Sequence, residues 1–231
     1  MRVAIIQSSY IPWRGYFDII NDVDRFVFLD DVQYTTRDWR SRNRIKTAAG
    51  AQWLSIPAGS DVRRTIDQVI LEDHRWQAEH WARIVHAYSR APFFAMHAPA
   101  IEAMYLGTQW RSLSAMNQAM TITIARDILG LSTEFTNARD FDAQGQKLDR
   151  LVDLAAKAGA TSYLSGPSAR SYIVPERFEE RGIALLYKDY AGYPEYRQAY
   201  PPFVPDVSVL DLLFNVGPAA ADHIWGWRKR S

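Results

Sequence analysis

The sequence predicts an α/β fold built on a mainly parallel sheet, and three observations carry the prediction. Two apolar runs, Val3-Ala-Ile-Ile6 and Phe26-Val-Phe-Leu29, are too short and too rich in β-branched and aromatic residues to be helices. Between them Phe17, Ile19, Ile20 and Val23 recur at helical spacing, which gives strand, helix, strand. Each apolar run then ends in a polar cluster, the first at Gln7-Ser-Ser-Tyr10 and the second at Asp30-Asp-Val-Gln-Tyr34. In an open α/β sheet ligands sit beyond the carboxyl ends of the strands, so both clusters are expected to face one crevice.

The remaining elements follow in order. Pro12 and Gly15 punctuate the turn from the first strand into the first helix. Gln52 to Pro57 and Val69-Ile-Leu-Glu72 predict short strands around a polar connection from Gly59 to Asp67. His74 to Arg90 is predicted helical, with Trp76, His80, Ile84 and Ala87 on one face and Pro92 as its stop. Further helices are expected over Ala95 to Leu106 and Ser112 to Leu129, the second closed by Gly130, which makes residues from about 74 to 130 a helical insertion. Leu148, Leu151, Val152 and Ala155 mark a helix ended by Gly159, and Tyr163-Leu leads as a strand into Ser165-Gly-Pro-Ser168. A short helix over Pro175 to Arg181, a strand over Ile183 to Tyr187, and a Tyr- and Pro-rich loop from Tyr190 to Pro205 come next. Ser208 and Asp211 suit a capping box for a closing helix that Gly217-Pro218 stops. Neither a repeat nor a linker divides the chain, so residues 1–231 are expected to form one domain.

Composition narrows the function. A chain of 231 residues can bury a large core, and 48% hydrophobic with 23% charged residues is a globular balance. No apolar run approaches the ~20 residues of a membrane-spanning helix, so no integral membrane segment is expected. The N-terminus lacks the zones of a secretory signal, which predicts a cytoplasmic protein. With no Cys at all, any acyl transfer must be direct or pass through an oxygen or nitrogen nucleophile. A net charge of +1 gives no footprint for nucleic acid, although Arg37, Arg40, Arg42, Arg44 and Lys46 form a local basic block suited to a small anion. The five His show no metal-ligand spacing, so no metal site is expected.

Five blocks distributed over the chain carry a resemblance: Asp30-Asp-Val-Gln-Tyr34, Trp39-Arg-Ser-Arg-Asn-Arg-Ile-Lys46, Trp53-Leu-Ser-Ile-Pro57, Tyr163-Leu-Ser-Gly-Pro-Ser168 and Ser208-Val-Leu-Asp-Leu-Leu-Phe-Asn215. Together they resemble the WbqC-like family of bacterial surface-polysaccharide gene clusters. The resemblance implies glycyl or aminoacyl transfer to an amino sugar in O-antigen or related polysaccharide synthesis. A second resemblance lies in Ile11-Pro-Trp-Arg-Gly-Tyr-Phe17, a helix, Asp24, an apolar strand and Gln33-Tyr34. This order is similar to the start of the HIGH-superfamily nucleotidyltransferases, and it implies a Rossmann-like (HUP) sheet with phosphate held at a helix N-terminus. Trp13 and Tyr16 stand where that superfamily has two histidines, so the usual donors to a transferring phosphate are missing.

Candidate site residues follow from these blocks. Asp31, beside the Gln33 and Tyr34 turn, is the candidate base for an amine, and Asp30 is its neighbour at the strand end. His80, in Trp76-Gln-Ala-Glu-His80, is either a satisfied semi-buried histidine or a general base. Arg42, Asn43 and Lys46 are expected to hold a sugar diphosphate or a carrier phosphopantetheine, the acyl donor being carried on such an arm. If residues 39–46 are extended, Arg40, Arg42, Arg44 and Lys46 share one basic side and Trp39, Ser41, Asn43 and Ile45 the other. Gln7, Tyr10 and Trp13 are assigned to substrate, and so are Ser165, Gly166 and Ser168, whose turn can present backbone amides to an oxyanion. Trp13, Trp39 and Tyr34 suit the face of a sugar. The expected partners are a sugar nucleotide or amino sugar and an acyl carrier protein. The rival reading is a non-catalytic module that binds a sugar nucleotide or a carrier.

Overall fold

A computed structural model of the protein describes residues 1–228. Its centre is a five-stranded, all-parallel sheet in the order β5-β2-β1-β6-β7, formed by β1 (Arg2–Ile6), β2 (Arg25–Phe28), β5 (Glu134–Asn137), β6 (Ser162–Ser165) and β7 (Ala184–Tyr187). The fold is α/β and Rossmann-like, as the sequence predicts. Both faces of the sheet's centre are covered, which is why β1 and β2 read as unbroken apolar runs rather than alternating ones. Ala4, Phe26 and Phe28 pack on one side with Phe17 and Ile20 of α1 (Arg14–Asn21). Val3, Ile5 and Val27 pack on the other with α5 (Lys147–Lys157) and with α6 (Glu176–Glu179), whose Phe178 stacks on Tyr163 at 5.0 Å.

Between β2 and β5 the chain leaves the sheet and returns. It first makes an antiparallel hairpin, β3 (Arg42–Thr47) and β4 (Gly50–Ser55), in which Arg44 lies opposite Trp53. It then forms α2 (Arg75–Tyr88), α3 (Phe94–Leu106) and α4 (Leu113–Thr123), the last continuing as a π turn to Ile128 before Gly130 ends it at a φ of +71°. The buried face of α2 holds Trp76, His80, Ile84 and Ala87, as its periodicity predicts. The expected strand at Val69 to Glu72 is instead a single bridge, Ile70 with Ser112, after a short 3₁₀ turn at Ile66–Gln68. The segment meets the residues that lead into α4: Leu71 N donates to Arg111 O and Leu113 N donates back to Val69 O, and among the described residues this bridge does not extend into a ladder.

Two other expectations change at the closing helix α7 (Val209–Val216). Ser208 caps it by accepting from Leu210 N, but Asp211 takes no part in a capping box. Its buried carboxylate accepts from the Tyr196 hydroxyl at 2.7 Å and from Gln198 at 2.8 Å, which ties the preceding loop to the helix. That loop, residues 189–206, crosses the hairpin and breaks the uniformly basic side expected for residues 40–46. Lys46 is 2% exposed and its ammonium donates to Pro202 O at 2.7 Å, while Arg44 pairs with Asp206.

Candidate ligand-binding site

The strand order reverses at β1, with β2 on one side and β6 on the other, so the crevice beyond their carboxyl ends is where an open α/β sheet binds ligands. Two cavities lie at this edge. The first, of about 360 Å³, is bounded by Ile6, Trp13, Tyr16, Trp39, Arg40 and Asn43. It sits at the N-terminus of α1, whose first turn has no acidic residue. Gly15 is required there, because a Cβ on it would lie 2.2 Å from the Trp13 ring. Arg40 donates to the Gln7 side chain, and the Tyr16 hydroxyl donates to Gln7 O at 3.0 Å. Burial, with the charge of Asp30 added, pushes the Tyr16 phenol up, so it remains a hydrogen-bond donor at neutral pH.

The loop that walls this cavity is strained and clamped. Ile11 has a φ of +34°, a left-handed conformation that a β-branched residue adopts only when its surroundings impose it. Asn43 supplies the constraint: 2% exposed, it donates through Nδ2 to the carbonyls of Tyr10 at 3.0 Å and Ile11 at 2.9 Å, and accepts from Arg44 N. Asn43→Ala leaves both buried carbonyls without that donor and is expected to lower stability by about 1–3 kcal/mol. Chemical unfolding of the variant measures it, and an unchanged midpoint would contradict the clamp.

The second cavity, about 270 Å³, opens at the ends of β2 and β5 and is bounded by Asp30, Asp31, Asp67, Ser114, Gln118 and Arg139. Asp30 is almost wholly buried and accepts from Ser8 N at 2.8 Å, Ser114 Oγ at 2.5 Å and Gln118 Nε2 at 3.0 Å. Asp31 pairs through one oxygen with Arg150, and its other oxygen is buried with no hydrogen-bond partner. The strand has already ended at Phe28, so the two neighbouring aspartates bound one cavity rather than opposite faces of a sheet. Ser8 and Asn117 join the two cavities, for Asn117 Nδ2 donates to Arg40 O at 2.8 Å and approaches Ser8 Oγ at 3.4 Å.

Other candidates lie elsewhere, so residues 7, 10, 31, 43 and 165 do not line one cavity. Tyr10 is fully buried among the insertion helices, its hydroxyl 2.8 Å from His80 Nδ1 and 2.6 Å from the Tyr105 hydroxyl. Tyr34 is buried and bonds Ser41, and Gln33 is exposed and donates to Val62 O. Ser165 is buried at the end of β6, with Gly166 and Ser168 in the turn that follows, and its carbonyl accepts from Lys188 N. Sequence reasoning missed Ser114, Asn117 and Gln118. With Thr121 they recur at i, i+3, i+4 and i+7, a polar stripe on α4 that is mostly buried and marks the face turned to the site.

His80 borders a different, outer cavity of about 490 Å³ with Trp53, Glu79 and Arg83. Burial first, and then the charge of Arg83, pushes its imidazole down to about 4. An unfolded imidazole takes its proton near pH 6.5, so between the two values only the unfolded chain holds it, and stability falls as pH drops through this window. The expected loss from this residue by pH 4 is about 3 kcal/mol. Urea unfolding between pH 4 and 7 should show a smaller acid loss in His80→Phe than in the parent, and identical slopes would remove His80 as the cause.

A model of the WbqC-like protein family matches residues 7–223, which takes in all five sequence blocks and, apart from Ile6, the residues named for both cavities. The chain belongs to the WbqC-like family. It is 44% identical over 225 residues to the uncharacterized protein Rv1507c of Mycobacterium tuberculosis, covering 96% of this chain and 97% of that one. No solved structure matches this WbqC-like chain. Among the described residues no helix is long and apolar enough to cross a membrane, and no group of His, Cys, Asp or Glu is arranged to hold a metal ion.

Proposed function

We propose that this protein forms an amide between an aminoacyl or glycyl group and a nucleotide-linked amino sugar, in the cytoplasmic synthesis of a surface polysaccharide such as O-antigen. One observation carries the reading: Trp13, Tyr16, Trp39 and Arg40 wall a single cavity at the N-terminus of α1, beside a second cavity that holds Asp30 and Asp31. Aromatic faces suit a base and a pyranose, and an Arg with free backbone amides at a helix start suits a diphosphate. The amine nitrogen would attack the acyl carbonyl carbon of a thioester on a phosphopantetheine arm. The carbon–nitrogen bond forms as the carbon–sulfur bond breaks, Asp31 takes the proton from nitrogen, and the thiolate leaves to be reprotonated. The base role falls to Asp31 rather than His80, which faces a separate cavity.

Trp13 and Tyr16 offer one donor each and no cation where the nucleotidyltransferases that this stretch resembles have imidazoles, so the acyl group should arrive already activated. Incubation with a sugar nucleotide bearing a free amine and an aminoacyl thioester should yield the amide, read by mass spectrometry. Protein-dependent release of AMP and pyrophosphate from ATP and free glycine would refute the pre-activated donor. A non-catalytic binding module finds support in the pairing of Asp31 with Arg150, which occupies one carboxylate oxygen. It predicts sugar-nucleotide binding with no product.

A further inference from the structure

We infer that a third cavity, on the opposite side of the segment Arg40–Asn43 from the aromatic one, is a phosphate-ester site built on Arg37 and Arg42. The cavity, about 570 Å³, is bounded by Arg37, Arg42, Thr36, Ser55 and Ser60 with an apolar wall that includes Pro57, and no carboxylate lines it. The same segment shows Arg40 and Asn43 to the aromatic cavity and Ser41 and Arg42 to this one.

What sets these two arginines apart from Arg40, Arg44 and Arg64 around them is that they are unspent. Arg40 donates to Gln7, Arg44 pairs with Asp206, and Arg64 donates to Ala58 O. Among the described residues neither Arg37 nor Arg42 has a side-chain hydrogen-bond acceptor or a carboxylate within ion-pair distance, while the Nε of Arg42 is buried with no partner, as are those of Arg40, Arg44 and Arg64. The Arg42 guanidinium instead lies over the Trp53 ring, its Cζ 4.2 Å from the centroid, which restrains it beside the cavity. Arg37 is exposed at a φ of +54°, in a turn that places it on the same cavity. Asp38 feels this positive field: burial works against its charge, yet the Thr35 hydroxyl, Arg40 and Arg42 hold its carboxyl below the usual value.

Two guanidinium forks with several hydroxyls offer more donors than the two oxygens of a carboxylate can use, whereas a phosphate accepts from all sides. The volume leaves room for the group esterified to it, and the apolar wall favours a chain over a second charge. The anion class stands on this cavity alone. Its assignment to the phosphopantetheine arm of the acyl donor rests on the transfer reading above.

Isothermal titration of the full chain with 4′-phosphopantetheine, with pantetheine and with a uridine-diphosphate amino sugar tests both. Phosphopantetheine should bind at least about tenfold more tightly than pantetheine, and Arg37→Gln and Arg42→Gln should each remove most of that difference. Arg177→Gln, a half-exposed arginine on α6 away from the cavities, should leave it unchanged. Arg37 is exposed, so its substitution reads binding without disturbing the fold, and melting curves check Arg42→Gln. If the two substitutions weaken the sugar nucleotide instead, the phosphate site stands and its role as a donor site falls. If neither substitution changes the affinity of any of these ligands, or phosphopantetheine and pantetheine bind alike, the site is overturned. Phosphate-dependent binding together with no amide product would sink the transfer reading alone.

Discussion

Asp18→Asn should lower stability by about 3–5 kcal/mol, the cost of removing a buried carboxylate that two cations share. Asp18 sits inside α1 with no exposed surface, and its carboxylate gathers partners from residues 188 to 228. Arg228 grips it with two bonds of 2.6 and 2.5 Å, Lys188 approaches at 2.8 Å, and Tyr193 donates to it. Lys188 is itself only 5% exposed, so an amide in place of Asp18 leaves this buried ammonium with the Asp22 carboxylate and the backbone carbonyl of residue 18. For a chain of this size each kcal/mol moves the melting temperature by about 2–4 °C, so calorimetry should show a fall of roughly 6–20 °C. Glu134→Ala is the control: its pair with Arg25 is half exposed and should be worth no more than about 1 kcal/mol. Equal losses in the two variants would mean that burial of the Asp18 group does not set its worth.

The second large effect is on turnover. Asp31→Asn keeps the size of the side chain but cannot take a proton from an attacking amine, and general-base contributions run to about 10²–10⁴-fold. Amide formation should fall by at least about 100-fold while affinity for the sugar nucleotide stays within a factor of about two, since the aromatic cavity is untouched. Arg150 is left unpaired but is partly exposed, so the fold should hold. A variant that turns over like the parent would move the proton transfer to another group. One that loses affinity and rate together would make Asp31 a binding residue.

The sheet and the helical insertion were legible because their information is local. β1, β2 and β6 declare themselves by short apolar runs, and α2 by its Trp76, His80, Ile84 and Ala87 stripe. The site was legible only in part, because its partners come from sequence-distant elements. Asp30 and Asp31 are marked by their place after a strand, but nothing local says that Ser114 and Gln118 will cap the first and Arg150 pair with the second. Alternation along residues 39–46 failed for a similar reason. Pleating predicts two faces, and a loop more than 150 residues further on decides that Lys46 is covered while Arg42 is left free. Tyr10 shows the converse error, since a polar tip after a strand end looks like a ligand contact until His80 and Tyr105 take up its hydroxyl.

The sheet order also governs how the chain is made. β1 is the central strand, and it needs β2 on one side and β6 on the other, with Val3 in register with both Arg25 and Tyr163. During synthesis β1 and β2 can pair early, but the other edge of β1 has no neighbour until most of the chain has left the ribosome. The outer edge of β2 likewise waits for β5, whose Phe135 registers with Phe26 only after the whole insertion has been translated. Parallel pairings across such sequence separations are slow to close, and the open apolar edges are prone to wrong partners in the meantime. The insertion helices therefore have the first opportunity to shelter the exposed face of the nascent sheet. Refolding yield from denaturant should be more sensitive to substitutions where α4 meets that face than to equally buried ones on α6.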